Sequence, residues 1–223
     1  RKALQSPYFT SNPHLLSLFD WLRKYHPDFE TTKLNKEYLF TKLFPNRSYN
    51  DHKMRRILSE LVFVLEDFLV TENLKQNAYQ KKKSLVEIFG KRNLYSFFKK
   101  GIDELINEQE SLSFRDVAFY EEIVPLHSSF FYHPMRPKFD QKDNTLPKVM
   151  AAVDQRFILS KLRFGIEMRN QERIFQKRYD IRFWEAIEKE LVHHQDNIVV
   201  KLLSLVFKLF SENDNEDFQE LEA

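Results

Sequence analysis

The chain of 223 residues is long enough for one extended domain or two small ones, and its 35 basic and 33 acidic side chains nearly cancel. The near balance of charge does not imply a bulk polyelectrolyte partner. The two halves differ, however: residues 1–100 carry 19 basic and 10 acidic side chains, and residues 101–223 carry 16 and 23. Cysteine is absent, which excludes disulfides and thiolate chemistry and fits a reducing compartment. We therefore expect a cytoplasmic protein, and no window approaches the roughly 18 consecutive apolar residues of a membrane span.

Glycine is scarce, with only Gly90, Gly101 and Gly165. Loops that cradle phosphates or dinucleotides need several glycines close together, because the backbone must approach the ligand without a Cβ in the way. We therefore predict no cofactor. The lack of Asn-Gly and Asp-Gly turns also argues against a hairpin-rich β fold.

The first three predicted helices follow asparagine N-caps at Asn12, Asn35 and Asn50. The third, residues 51–73, is the longest apolar stretch of this half and the centre of the predicted N-terminal bundle. Its apolar residues follow steps of three and four: Met54, Ile57, Leu58, Leu61, Val62, Leu65, Phe68 and Leu69. Further apolar side chains off this stripe predict that neighbouring helices cover it on more than one side.

Further helices are predicted over residues 76–89, 93–109, 147–179, 182–193 and 197–210, with a last one beginning at Asn213 or Asp214. Another helix, capped by Ser113, is predicted between the second and third of these. Gly90 is the expected left-handed residue after the first of these. Gly101 indicates a close approach by a neighbouring helix, and Pro125 should kink or end its helix. Residues 133–147 read as a loop.

The fold class is therefore all-α, with no predicted strand. Two architectures fit: a globular bundle, and antiparallel helix pairs stacked as a tetratricopeptide-like right-handed solenoid with an N-terminal three-helix cap. Helix pairs spaced about 15 to 20 residues apart favour the solenoid. We place the bundle at residues 1–74 and the repeat region at 75–223, with a sub-boundary at 133–147.

Three segments resemble long helical proteins of Bacteroidota-type bacteria. They are SPYFTSNPHLLSLFDWLRKYHPDF (Ser6 to Phe29), LFPNRSYNDHKMRRILSELVFVLEDFL (Leu43 to Leu69) and KLRFGIEMRNQERIF (Lys161 to Phe175). That family carries no catalytic motif to transfer. The resemblance, together with the start at Arg1, implies a longer parent protein that continues in helical repeats.

The longest helix carries a candidate partner-binding stripe. Arg169, Arg173 and Lys177 are four residues apart, with Asn170 alongside, which places like charges on one face unless an acidic partner meets them. The arginine fork pairs bidentately with carboxylates, so we expect an acidic protein or peptide, with the acidic tail 212–222 as one candidate. The alternative is an exposed basic face balanced by neighbouring glutamates.

The runner-up is a DNA-associated regulator. The second helix, the turn 45–50 and the start of the third resemble a helix-turn-helix, with a turn longer than usual and no β-wing behind it. The basic residues that would meet the groove or the phosphates are Lys53, Arg55, Arg56, Lys81, Lys82 and Lys83.

Enzymatic chemistry has weak support, and we predict a non-catalytic interaction scaffold. The one acid and imidazole cluster in the sequence is Glu121, Glu122, His127 and His133, and nothing in it fixes a nucleophile, a base and an orienting group together. Glu190 and His193 have the spacing of one half of a di-iron motif, but the second half is missing, so we predict no metal.

Overall fold

The computed structural model describes residues 1–31, 34–137 and 143–221, with side chains described as far as residue 211. Throughout this part of the chain the regular structure is helical and contains no strand, which confirms the all-α prediction. The nine α-helices there are α1 Pro13–Arg23, α2 Lys36–Leu43, α3 Asp51–Gln76, α4 Ala78–Lys91, α5 Tyr95–Glu110, α6 Val117–Phe131, α7 Thr145–Phe175, α8 Trp184–Glu190 and α9 Ile198–Leu221.

The chain forms two compact units, Arg1–Lys81 and Lys82–Ala223. The division falls inside α4, a few residues after the predicted limit at 74, and the segment 133–147 belongs to the second unit. Residues 138–142 of that predicted loop lie outside the described residues.

In the first unit, three asparagine side chains begin the helices as predicted. Asn12, Asn35 and Asn50 accept hydrogen bonds from backbone N–H groups in the first turns of α1, α2 and α3. The helices enclose one apolar core, formed by Leu4, Leu15, Leu18, Leu39, Phe40, Leu43, Phe44, Met54, Ile57, Leu61 and Val64. This unit is a three-helix bundle.

Only the first half of α3 lies in that core. Beyond Val64 no residue of the helix is fully buried, and Val62, Phe63, Leu69 and Val70 are 51 to 66% exposed. The prediction that neighbouring helices cover α3 on more than one side is therefore wrong for the second half of the helix. The apolar periodicity was correct, but α1 and α2 are too short to reach the second half of a 26-residue helix.

The second unit is built on α6, α7 and α9, with α5 packed on α6 and the short α8 beside the core. Its buried residues are Phe119, Tyr120, Ile123, Ala152, Ile158, Leu159, Leu162, Ile181, Ile187, Leu191, Val200 and Phe207. Gly165 allows α7 to approach α9, because a Cβ at residue 165 would lie 2.9 Å from Cε2 of Phe207. The predicted close approach at Gly101 is confirmed, with Val86 of α4 as the neighbour.

Several predicted helix limits in this unit are wrong. Gly90 lies inside α4, and the left-handed residue is Asn93, whose amide side chain tolerates a positive φ. Helix α6 continues through Pro125 to Phe131, so Pro125 does not end it, and its cap is Asp116 rather than the predicted Ser113. Helix α9 runs on to Leu221, so no separate helix begins at residue 213.

Candidate protein-interaction surface

The outer face of α7 carries exposed apolar side chains in addition to those that its opposite face buries in the core. Ile158, Leu159 and Leu162 are buried in the core. On the other side, Phe157 and Phe164 lie seven residues apart, or about two helical turns, and are 42% and 61% exposed. The helix therefore presents aromatic side chains outward beside a packed core.

The segment after α7 returns along this outer face. The helix ends at Phe175, and Gln176 has a left-handed backbone (φ 51°) that reverses the chain. Ile181 is then buried, and the Nζ of Lys161 donates to the carbonyl oxygen of Arg182 at 3.2 Å. Phe183 is 69% exposed, and its ring centroid lies 6.5 Å from that of Phe157.

An open cleft of about 440 Å³ lies between α7 and this segment, and we call it the α7 cleft. Its lining consists of Phe157, Ser160, Lys161, Phe164, Gly165, Met168, Asp180, Ile181 and Arg182. A second cleft, the Arg169 cleft, shares Asp180, Ile181 and Arg182 and has a volume of about 710 Å³. Its remaining lining residues include Arg169, Phe183 and Trp184.

Cations are held against the aromatic rings around the α7 cleft. The Lys161 ammonium lies 5.7 Å from the ring centroid of Phe157 and 6.0 Å from that of Phe183, and the Arg163 guanidinium lies 5.7 Å from that of Phe164. Each is within the range of a cation–π interaction. The rim is therefore basic and aromatic, with Asp180 as the acidic group in the lining.

The predicted stripe of Arg169, Asn170, Arg173 and Lys177 does not form one outer face. Helix α7 ends at Phe175, so Lys177 is not on the helix, and Asn170 is half-buried. Arg169 and Arg173 follow Leu162 and Ile166 in steps of three and four, which places both arginines on the side that packs on α9.

Both arginines are used within the second unit. The Arg169 guanidinium binds Glu172 at 2.7 Å and lies 5.9 Å from the ring centroid of Phe207. Arg173 donates to the carbonyl oxygen of Phe210 at 3.3 Å and faces that residue's ring. Among the four residues of the predicted stripe, Arg169 lines the Arg169 cleft. The buried Nε of Arg169 has no hydrogen-bond partner in the structure.

Glu172 fixes the turn that forms the clefts. Its carboxylate accepts from Arg169 and from the backbone N–H of Tyr179 at 2.5 Å. Burial raises the pKa of Glu172, but the hydrogen bonds from Arg169 and Tyr179 outweigh it and hold that pKa below its usual value. The carboxylate therefore stays charged and ties the end of α7 to the returning segment.

The basic residues at the start of α3 are largely engaged inside the first unit. The Nζ of Lys53 lies 3.8 Å from the ring centroid of Phe44, and Arg55 binds Asp51 at 2.6 Å. Arg56 is exposed. Lys53 and Arg55, two of the residues predicted to contact DNA, thus already have intramolecular partners.

The lysine run at the start of α4 is not a uniform basic face. Lys81 is exposed and belongs to the first unit. Within the second unit, Lys82 lies 3.4 Å from Glu104 and 3.5 Å from Glu108, and Lys83 binds Glu122 at 2.7 Å. Lys82 and Lys83 are half-buried, and both ammonium groups already lie beside carboxylates.

The predicted acid and imidazole cluster is divided among other contacts. Glu122 binds Lys83, while the His133 ring stacks on Phe98 with centroids 4.4 Å apart, and its Nδ1 accepts from the Met135 N–H. His127 is buried. Across residues 1–31, 34–137 and 143–221, no group of three or more His, Asp or Glu side chains could hold a metal ion. A search of the same residues finds no helix with the length and hydropathy needed to span a bilayer.

The chain has no significant match among protein-family models, curated proteins or solved structures. The candidate surface is therefore defined by its geometry alone. Sequence reasoning missed Phe157, Lys161, Phe164 and Arg182. The available signal was a second apolar row on α7, at Phe157, Phe164 and Met168, spaced seven and four residues apart.

Proposed function

We propose that the protein is a non-catalytic helical scaffold that binds an acidic segment of a protein partner at the α7 cleft. One observation carries the proposal: the exposed rings of Phe157 and Phe164 line a cleft together with Lys161 and Arg182, and the exposed ring of Phe183 lies beside that of Phe157. Exposed aromatic residues beside arginine are the composition of binding hot spots.

The chemistry of the cleft defines the class of partner. Its apolar floor, which includes Met168 and Ile181, can take an apolar side chain, and its volume falls within the range of about 300 to 1,000 Å³ for ligand sites. Two cationic residues, Lys161 and Arg182, line the cleft against one acidic residue, Asp180, so carboxylates beside that apolar side chain are favoured. We therefore infer a segment that combines an aromatic or leucine anchor with Asp or Glu.

The architecture supports a scaffold role. Helices that follow one another in the chain pack in order, α5 on α6 and α6 on α7, as in stacked helix pairs of the tetratricopeptide type. Their lengths vary, so any repeat is degenerate. Extended faces of this kind are the surfaces that helical-repeat proteins use for binding.

The test is selection from a random peptide library displayed on phage, followed by affinity measurement on the recovered peptides. We expect the recovered peptides to share an aromatic or leucine residue flanked by acidic residues. Phe164→Glu and Arg182→Glu should each weaken binding at least tenfold. The matched controls are Phe114→Glu, at another exposed phenylalanine, and Lys100→Glu, at another exposed cation. The proposal would be contradicted if the selected peptides lacked acidic residues. It would also be contradicted if the peptides bound Phe164→Glu as tightly as they bind the two control variants.

Duplex DNA is the comparison ligand. A scaffold should show only weak attraction that disappears steeply as salt rises, since it rests on scattered lysines. A DNA-associated regulator should instead bind tightly and lose affinity on replacement of Arg55 and Arg56. A salt titration with random duplex therefore separates the two functions.

A further inference from the structure

Helix α9 has two apolar faces, and one of them is uncovered. Val200 and Phe207 are buried in the core of the second unit. The opposite side carries a second row, spaced four, three and four residues apart, whose members are 48 to 62% exposed. We call this row the α9 stripe: Ile198, Leu202, Leu205 and Leu209. Its spacing is that of a helix-packing seam.

The α9 stripe has a basic border. Lys201 and Lys208 are exposed along one edge, seven residues or about 10 Å apart, and residues 198–211 contain no acidic residue. An apolar seam bordered by lysines fits an amphipathic helix that carries apolar and acidic side chains.

The chain itself contains such a helix, in the first unit. Between residues 62 and 70, α3 exposes Val62, Phe63, Leu69 and Val70, and we call these four residues the α3 face. Residues 62–76 contain three acidic residues and one basic residue, Lys75. Glu66 lies between the apolar residues of the face by helical angle, and Asp67 lies at its edge.

We infer that the α3 face of one copy of the chain docks on the α9 stripe of a second copy. The two surfaces each extend over about two to three helical turns and carry charges of opposite sign, with Glu66 and Asp67 on one and Lys201 and Lys208 on the other. Each leaves large apolar side chains in water when unpaired. This inference is independent of the α7 cleft, whose lining residues belong to neither surface.

Sedimentation velocity of the whole chain over a range of concentrations tests the inference. The wild type should self-associate, and Leu205→Glu and Phe63→Glu should each be monomeric. When the two variants are mixed, heterodimers should form, because Leu205→Glu retains an intact α3 face and Phe63→Glu retains an intact α9 stripe. Circular dichroism of each variant checks that it is folded, and Phe97→Glu, at an exposed phenylalanine of α5, is the control.

Charge reversal tests the pairing directly. Lys201→Glu/Lys208→Glu should weaken association at least tenfold, and mixing with Glu66→Lys/Asp67→Lys should restore it. A wild type that stays monomeric at several hundred micromolar would overturn the inference. So would Leu205→Glu abolishing association while Phe63→Glu does not, since that result means pairing of α9 with α9.

Discussion

Val86 of α4 fills the space that a side chain at Gly101 of α5 would need. A Cβ built at residue 101 would lie 2.3 Å from Cγ2 of Val86, a distance at which one helix must move. Neither residue is charged or catalytic, yet the contact sets how closely α4 and α5 pack.

Gly101→Ala should therefore destabilise the second unit. Overpacking costs about 1–3 kcal/mol, against a gain of up to about 1 kcal/mol in helix propensity, so we expect a net loss of about 1–2 kcal/mol by chemical denaturation. In a Val86→Ala background the same substitution should cost nothing, because the obstructing methyl groups are gone. An equal cost in both backgrounds would show that the contact does not set the packing.

Phe183 combines an exposed ring with a left-handed backbone (φ 65°), which is strained for a residue with a side chain. Phe183→Gly should raise the stability of the second unit by about 1 kcal/mol, because glycine adopts this conformation freely. The same substitution should weaken binding of the acidic peptides recovered from the phage library, because it removes an aromatic ring beside the α7 cleft. Phe114→Gly, at an exposed phenylalanine without a positive φ, should change neither in this way. Thermal melts and peptide titrations on the same samples give both quantities.

Asn197 connects three helices. Its Nδ2 donates to the carbonyl oxygen of Arg115 at 2.9 Å and lies within 3.4 Å of the Tyr120 hydroxyl and Gln155 Oε1, while its Oδ1 accepts from the Val199 N–H. Asn197→Ala should cost about 2–3 kcal/mol, since a cap and at least one partly buried hydrogen bond are lost. Asn197→Ser keeps a capping oxygen and should recover about 1 kcal/mol in urea unfolding. If Asn197→Ala lowers the free energy of unfolding by no more than the loss of a helix cap does, the hydrogen bonds of Asn197 to Arg115, Tyr120 and Gln155 contribute nothing.

His127 gives the second unit a dependence on pH. Burial lowers the pKa of His127, and the charge of Lys148 lowers it further against a smaller opposing effect of Glu110. Because the unfolded chain takes up the proton first, near pH 6.5, stability should fall as the pH is lowered from 7 through the depressed pKa. His127→Gln should flatten this decline between pH 7 and 5, whereas His193→Gln, at an exposed histidine, should not. Midpoints of urea unfolding at several pH values, for the wild type and both variants, measure this decline in stability.

The cap of α3 contributes to the stability of the first unit. The Asn50 side chain accepts from the backbone N–H of Lys53 at 2.8 Å. Asn50→Ala should cost about 1 kcal/mol, seen as a decrease of about 4–8 °C in the melting temperature of a unit of this size. Asn46→Ala, at an exposed loop residue, should have no effect. A decrease of the same size in both variants would point to the loop rather than the cap.

Local features were predictable wherever the chemistry is local. The caps at Asn12, Asn35 and Asn50 follow from side chains that bond the next turn of their own helix. Gly101 was recognisable because a glycine inside an apolar helical pattern needs a packing reason. A single residue type can mislead, however. Gly90 predicts the end of α4, but the helix continues past it to Lys91 and the left-handed residue is Asn93.

The candidate surface on α7 does not follow from local sequence patterns. The spacing of Arg169 and Arg173 predicts a basic stripe, but both arginines lie against α9, a helix some thirty residues further along the chain. The exposure of Phe164 depends on which row of α7 meets α9, and a helix with two apolar rows does not reveal which one is inward.

The sequence by itself determined that this chain is helical, where most helices begin, and that glycine-based cofactor loops cannot form, because those properties depend on spacing and on single residues. The tertiary structure decided which apolar rows are buried, where α7 ends and reverses, and which charges are already paired. Burial and pairing depend on distant partners, and residues far apart in the chain are brought together only by folding.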